Sequence, residues 1–127
     1  MNKVLLLLVG AMGFANTGLA QPQATTQNGM TYLSGGVGLD ERSEMKAVMH
    51  NYNLVMTFAE KSGAYLADVK VSVSAVQGKK GFSTVSDGPF FYAALPPGKY
   101  RVSAEYGGKT QTKVVKLGKV HAVFYWK

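Results

Sequence analysis

The chain has 127 residues, a formal net charge of +7 at pH 7 and no cysteine. This length fits a single domain with a modest core, and the lack of cysteine excludes disulfides, a cysteine-linked lipid anchor, a thiol nucleophile and a thiolate metal site. Nucleic-acid binders usually cluster their basic residues and favour arginine, whereas the lysines here are scattered and only two arginines occur, so we expect no nucleic-acid partner.

Residues 1–20 have the pattern of a secretory signal peptide. Lys3 supplies a short positive region, and the apolar stretch over residues 4–15 is too short for a comfortable membrane span. The small residues Gly18 and Ala20 predict cleavage after Ala20. We therefore expect a periplasmic or secreted protein with no transmembrane segment in the mature chain, and an uncleaved membrane anchor is the less favoured alternative.

The mature chain is predicted to begin with a flexible segment over residues 21–30, which is polar and lacks periodicity. The folded domain is expected over residues 31–127. Its one helix is predicted over about residues 40–51, with Asp40 as the N-cap. Apolar residues recur there at the spacing of one helix face, which predicts an amphipathic helix. These residues are Met45, Val48, Met49 and Tyr52.

The chain after this helix has the pattern of short β-strands separated by turns. The clearest strand covers residues 69–75, where valine and alanine alternate with lysine and serine. The pair Gly107-Gly108 predicts a tight hairpin between two further strands. About seven strands at short, regular spacing predict a mainly β fold, an antiparallel sandwich preceded by one helix.

The run from Asp87 to Val102 is the most specific segment of the chain. An aromatic strand leads into Leu-Pro-Pro-Gly at residues 95–98, and an alternating strand leaves it. Proline donates no backbone hydrogen bond and glycine adopts positive φ readily, so strand pairing is expected to end after Leu95 and restart at Lys99. Leu95 is expected to plug the end of the sandwich.

This run resembles the carboxypeptidase regulatory-like domain, a transthyretin-like sandwich of seven strands. The matching residues are Gly88, Phe90, Tyr92, Leu95, Pro96, Pro97, Gly98, Tyr100 and Val102. The resemblance extends loosely over residues 53–127. Small secreted proteobacterial proteins with this domain are similar also in the segments 34–42 and 86–89. The resemblance implies a role in stability, folding support or binding rather than catalysis.

The predicted function is accordingly that of a non-catalytic periplasmic binding or structural domain, without cofactor or metal. Its partner is expected to be an envelope protein or an envelope glycan. Two alternatives stay open. One is an accessory or inhibitory subunit of a secreted enzyme, and the less favoured one is a small hydrolase that uses Asp68 or Asp87.

The possible binding surface combines the turn residues Ser86, Asp87 and Gly88 with two aromatic residues. Strand alternation sends most aromatic side chains into the core but leaves Phe91 and Tyr125 pointing outward. Exposed aromatic rings on a sandwich stack on sugar rings or anchor protein interfaces. The favoured alternative is that the helix covers this aromatic face, since its own apolar side must be buried.

Other patterns are expected to be structural. The glycine-rich segment 35–38 is interpreted as a turn, since Asp40 and Glu41 would repel a phosphate there. Acidic residues early in the helix favour its dipole and are too few for a calcium site. His50 and His121 belong to no metal or catalytic motif. The lysines are expected to cover a solvated sheet face, with a surface toward lipid headgroups or polysaccharide as the alternative.

Overall fold

Nine strands and one α-helix occupy residues 23–127, the part of the chain that this computed structural model describes. The predicted signal peptide and its cleavage site lie outside the described residues. In chain order the elements are β1 (Thr25–Gln27), β2 (Met30–Gly35), α1 (Leu39–Val48) with a 3-10 turn at Met49–Asn51, β3 (Leu54–Glu60), β4 (Val69–Ala75), β5 (Gly81–Ser86), β6 (Phe90–Ala94), β7 (Lys99–Tyr106), β8 (Lys109–Lys116) and β9 (Val120–Trp126).

The strands form two sheets, as the predicted β-sandwich requires. Sheet A has the strand order β1-β2-β6-β3-β9, and sheet B has the order β5-β4-β7-β8. All neighbouring strands are antiparallel except β3 and β9, which pair in parallel over seven residues from Leu54↔Val120 to Glu60↔Trp126. The sandwich is therefore confirmed, with two strands more than the seven predicted and with one parallel pair.

The two additional strands form a hairpin near the start of the described chain. β1 pairs with β2 through Thr25↔Tyr32 and Gln27↔Met30. The connection is Asn28-Gly29, and both residues have positive φ, at 56° and 77°. This is the turn geometry that an Asn-Gly pair favours between two strands. A paired hairpin thus replaces the flexible segment that was predicted for residues 25–30.

Helix α1 is the crossover of a β-α-β unit. β2 and β3 flank β6 and are both antiparallel to it, so they run parallel to each other. Parallel strands need a long crossover between them, and here the helix supplies it. The helix lies on the outer face of sheet A, where Met45 is fully buried. Among the residues that the structure describes, no helix has the length and apolar character to span a bilayer.

The turn into the helix is built around Glu41 and not around the predicted cap, Asp40. The N-cap is Gly38, and no side chain caps it. Glu41 Oε1 instead accepts hydrogen bonds from the backbone N–H groups of Gly36 (2.7 Å) and Val37 (2.9 Å). Gly36 has a φ of +98°, and an added Cβ would lie 2.8 Å from the Phe90 ring. The glycine-rich segment is thus a structural turn, as expected.

The inner core lies between the two sheets and is mainly aliphatic and aromatic. Strands β4 and β7 follow the predicted alternation, so that Val71, Val73 and Val102 are buried while Lys70 and Arg101 are exposed. The other large members are Met30, Leu54, Met56, Phe58, Leu66, Phe82, Phe91, Leu95, Tyr100, Phe124 and Trp126. Full burial of one such side chain stabilises the fold by about 1.5–3 kcal/mol.

A second, smaller cluster covers the opposite face of sheet A, and we call it the outer cluster. It consists of Leu33, Met45, Val55, Phe90 and Tyr92, with Val48, Met49 and Tyr52 packed at its margin. All four apolar helix residues that periodicity selected belong to it, which confirms the predicted apolar face of the helix. Sheet A is therefore covered on both faces where the helix lies.

The Leu-Pro-Pro-Gly corner has the predicted construction. β6 ends at Ala94 and β7 begins at Lys99. Leu95 is 5% exposed and closes the end of the inner core. Its N–H donates to Asn53 Oδ1 (3.0 Å), and the Tyr100 hydroxyl donates to the Pro96 carbonyl (2.7 Å). Pro96 and Pro97 have no N–H group to donate, so the corner cannot join the strand ladder, and these two hydrogen bonds hold it in place instead.

Candidate binding surface

The turn residues Ser86 and Gly88 have a structural role. Ser86 is fully buried, and its hydroxyl donates to the Gly88 carbonyl (2.7 Å). A Cβ on Gly88 would collide with the carbonyl of Gly35, so only glycine lets this turn approach the end of β2. Asp87 is exposed, and its N–H donates to Ser34 Oγ (2.9 Å). Of the three predicted turn residues, only Asp87 presents its side chain to solvent.

Phe91 does not point outward, which corrects the sequence prediction. Its side chain is 0% exposed and lies in the inner core, where it stacks with Tyr32 at 5.6 Å and Phe82 at 6.2 Å between ring centroids. Its neighbours Phe90 and Tyr92 lie on the other face of β6, beneath the helix. Both faces of this strand are buried, so its apolar sequence contains no polar residue that marks which face is the inner one.

Tyr125 is 51% exposed on β9, as predicted. It pairs with Ala59 on β3, and Ala59 pairs in turn with Tyr65 through an isolated bridge. Directly paired residues project from the same face of a sheet, so two tyrosines flank a small alanine. Two strand spacings separate them, or about 10 Å. We call this set, Tyr65, Ala59 and Tyr125, the tyrosine row.

Tyr65 is held in place although it is 49% exposed. Its ring meets Phe90 edge-to-face with centroids 5.7 Å apart. The guanidinium carbon of Arg42 lies 5.1 Å from the centroid of the same ring. Both contacts restrict the ring, and the cation contributes about 0.5–1 kcal/mol at a site this exposed. The tyrosine row thus contains one ring whose orientation is set before any ligand binds.

A shallow groove of about 310 Å³ runs beside the tyrosine row on the outer face of sheet A. Val55 and Thr57 on β3 and Tyr92 on β6 form the floor of this groove. Burial raises the pKa of Tyr92 above its ordinary value. The groove also contacts helix and edge-strand residues, which are Lys46, Met49 and His121. An apolar floor with a few polar groups at its margins is the usual composition of a binding groove.

Arg42 adds a positive group next to Tyr65. Its Nε is buried and has no hydrogen-bond partner. Arg42 and Tyr65 also line a small pocket of about 110 Å³ at the start of the helix. This Nε is closed off from the surface, so any ligand contact would be made by the rest of the guanidinium group, which lies over Tyr65. A positive group there favours a ligand that carries an acceptor, and best a carboxylate, near its aromatic contact.

The two histidines and the loop acids form no cluster of their own, although His121 lines the groove beside the tyrosine row. His50 is exposed in the 3-10 turn and His121 is exposed on β9. Asp68 precedes β4, and its N–H donates to the Ser86 carbonyl (2.8 Å). Within residues 23–127, no group of three or more His, Asp or Glu side chains is placed to hold a metal ion.

The outer face of sheet B carries a row of hydroxyl groups that sequence reasoning missed. The register places Ser83, Ser72, Ser103 and Thr112 side by side across all four strands. Two pairs bond within the row: Ser83 Oγ donates to Ser72 Oγ at 3.4 Å, and the hydroxyls of Ser103 and Thr112 lie 3.0 Å apart. These contacts occupy part of the row's hydrogen-bonding capacity, and the face lacks the aromatic rings present on sheet A.

Tyr65 and Arg42 are the site residues that sequence reasoning did not select. Tyr65 lies in a loop with no alternation, and only its bridge to Ala59 brings it beside Tyr125. Arg42 follows two acids at the helix start, and nothing in that local pattern indicates its contact with Tyr65 in a distant loop.

The chain matches no protein-family model, and no curated protein matches it by sequence.

Proposed function

We propose that this chain is a non-catalytic binding domain of the bacterial cell envelope, and that its ligand is an envelope glycan bound across the tyrosine row. The observation that carries the proposal is the pair of half-exposed rings, Tyr65 and Tyr125, about 10 Å apart on one sheet face. The apolar faces of sugar rings stack on such aromatic side chains, while their hydroxyls bond to polar groups at the margin.

The restricted orientation of Tyr65 supports this function. Immobilising a flexible side chain on binding costs about 0.5–1.5 kcal/mol. The contacts of Tyr65 with Phe90 and Arg42 already reduce this cost. Ala59 between the two rings is 4% exposed and has no side chain long enough to separate them, so a chain of sugar rings can contact both tyrosines.

Two positive groups lie beside the row, at the end of the sandwich that also carries the acidic residues, so they suit a glycan with isolated carboxylates rather than a densely anionic chain. Arg42 lies over Tyr65, and Lys46 lines the adjoining groove. Peptidoglycan combines sugar rings with carboxylates, and it is the envelope glycan that best fits this combination. Charge-assisted bonds to a carboxylate are about twice as strong as those between neutral groups.

The test is sedimentation of the purified protein with insoluble peptidoglycan. Tyr125→Ala removes an exposed ring and leaves the backbone contacts of β9 in place, so it is expected to weaken binding about tenfold, or ~1.4 kcal/mol, without lowering the melting temperature. The double variant Tyr65→Ala/Tyr125→Ala is expected to abolish measurable binding.

A matched control removes two exposed apolar side chains from the other sheet. Val85 and Val114 are 48% and 59% exposed on sheet B, and the variant Val85→Ala/Val114→Ala is expected to bind as the unchanged protein does. Equal losses in both double variants, or full binding by Tyr125→Ala, would contradict the glycan proposal.

A protein partner is the second candidate function, and the position of β9 favours it. This strand is at the edge of sheet A, and Val123 is 40% exposed beside Tyr125. Aromatic and apolar residues at an edge strand suit an interface, including one with a secreted enzyme that this domain would regulate. A photo-crosslinker at position 125 distinguishes the candidates, because a protein partner gives a discrete crosslinked band in periplasmic extract and a glycan does not.

A further inference from the structure

Five lysines lie together at the end of the sandwich that carries the Leu-Pro-Pro-Gly corner. We call this region the basic end. Its lysines occupy three connections: the β4–β5 hairpin, the corner itself with the first residue of β7, and the last residue of β8 with its link to β9. They are Lys79, Lys80, Lys99, Lys116 and Lys119.

Backbone hydrogen bonds join these three connections into one surface. The Val76 N–H donates to the Lys99 carbonyl, and the Leu117 N–H donates to the Gly98 carbonyl, both at 2.9 Å. Within the hairpin, the Ala75 N–H donates to the Lys80 carbonyl, also at 2.9 Å. The corner is therefore fixed between its two neighbours, and the five ammonium groups extend from adjacent backbone.

The negative charge of the protein lies elsewhere. All seven acidic residues of the chain are on the first two turns of the helix or toward the opposite end of the sandwich. They are Asp40, Glu41, Glu44, Glu60, Asp68, Asp87 and Glu105. The molecule is thus polarised along its strands, and this polarity orients the basic end toward a negative surface.

Lys99 and Lys116 form a cross-strand pair of like charges. They lie directly opposite each other on β7 and β8 and project from the same face. Such a pair destabilises a sheet. Lysines on an edge strand such as β8 protect that edge from pairing with other chains. β7 is an interior strand of sheet B, so edge protection does not account for Lys99. A bound anion would relieve the repulsion.

Apolar side chains are exposed between these lysines. Val76 is 39% exposed, and Pro96 and Pro97 are also exposed. A cleft of about 470 Å³ opens between the hairpin and the corner, and Val76, Pro97 and Lys99 line it. Exposed apolar residues among lysines are typical of surfaces that enter the headgroup region of a bilayer, where four to eight basic residues bind anionic lipid.

We propose that the basic end docks on a bilayer surface rich in anionic phospholipid. This inference is independent of the glycan proposal, because the tyrosine row lies near the other end of β3, about 20 Å away along the strand. Docking in this orientation leaves the tyrosine row on the side of the domain, at the end farther from the membrane.

The test is co-sedimentation with vesicles of phosphatidylcholine alone or with added phosphatidylglycerol. The protein is used without residues 1–20, because an apolar segment of that kind binds lipid by itself. The protein is expected to bind only the vesicles that contain phosphatidylglycerol, and binding should fall as salt rises. Each lysine near an anionic surface contributes about fivefold in affinity, so the double variant Lys99→Gln/Lys116→Gln is expected to weaken binding more than tenfold.

Two measurements separate docking from the effects of net charge and of folding. The control Lys61→Gln/Lys127→Gln removes the same charge from exposed positions at the opposite end and is expected to change binding less than about threefold. Lys99→Gln/Lys116→Gln should melt at the same temperature as the unchanged protein or higher, since it relieves repulsion. Equal losses in both variants, no binding to phosphatidylglycerol vesicles, or binding to a soluble polyanion such as heparin but not to vesicles would overturn the proposal.

Discussion

The outer faces of the two sheets differ in chemical character: that of sheet A is largely apolar, and that of sheet B is largely polar. The outer face of sheet A carries the outer cluster and is covered by the helix over much of its width. The outer face of sheet B carries serine, threonine and lysine side chains, among them the four paired hydroxyl residues Ser83, Ser72, Ser103 and Thr112. Sheet A is therefore buried on both faces except along β9. Sheet B is buried on its inner face only, and its outer face is in contact with solvent.

This difference explains where the aromatic binding surface lies. The helix covers β2, β6 and part of β3, and it leaves the β9 margin open, where Tyr125 and Val123 are exposed. The apolar residues on the outer face of sheet A pack beneath the helix. The same face stays apolar beyond the edge of the helix, on β9. Sheet B has no such cover and hence no such margin.

The largest expected effect comes from Phe91, whose side chain was predicted to be outside and lies inside. Phe91→Ala is expected to destabilise the fold by about 3–5 kcal/mol, because it leaves a cavity between Tyr32 and Phe82. Tyr125→Ala, which removes an exposed aromatic side chain, is expected to change stability by less than ~0.5 kcal/mol. Urea denaturation of both variants measures the contrast, and similar values for the two would contradict the assignment of faces on sheet A.

A second comparison sets the outer cluster against the inner core. Met45 on the helix and Met56 on β3 are each 0% exposed, one in each cluster. Both Met45→Ala and Met56→Ala are expected to cost about 2–5 kcal/mol if the helix is as firmly packed as the inner core. A cost below ~1 kcal/mol for Met45→Ala alone would show that the helix is held loosely, and the groove beside it would then be variable in shape.

Sequence patterns predicted the fold well where a single face of an element is buried. The helix was found from its 3.6-residue period, and β4 and β7 were found from strict alternation. On β6, by contrast, Phe90 and Phe91 are equally apolar, and only the position of the helix decides which of them lies in the inner core. The parallel pairing of β3 with β9 was also out of reach, because alternation identifies strands but not their partners.

The candidate site was only half predictable for the same reason. Tyr125 follows the alternation of β9, so its outward direction could be deduced. Tyr65 is brought beside it by one bridge to Ala59, a contact between a loop and a strand that no periodic pattern records. The charged partner of Tyr65 depends on a further tertiary contact, since Arg42 comes from the helix start.

The smallest expected effect on stability comes from tyrosine ionisation at alkaline pH. The tyrosines concerned lie in two regions, the Leu-Pro-Pro-Gly corner and the helix side of sheet A. Burial raises the pKa of Tyr100 at the corner, and of Tyr52 and Tyr92 beneath the helix, above the ordinary value of 10.0. The folded state therefore favours the neutral phenols. Their contribution to stability is complete below pH 10 and is lost as the pH rises toward the raised values, by at most about 1.4 kcal/mol per pH unit for each group.

Tyr100→Phe isolates the corner from the other two tyrosines. At neutral pH it is expected to cost about 1 kcal/mol, because the Pro96 carbonyl loses its 2.7 Å hydrogen bond. Above pH 10 the difference from the unchanged protein should shrink, since the variant has one group fewer to ionise on unfolding. Urea denaturation at neutral and alkaline pH measures both values. A constant difference at all pH values would mean that Tyr100 ionises in the folded protein as readily as in the unfolded chain, and the corner would then be open to water.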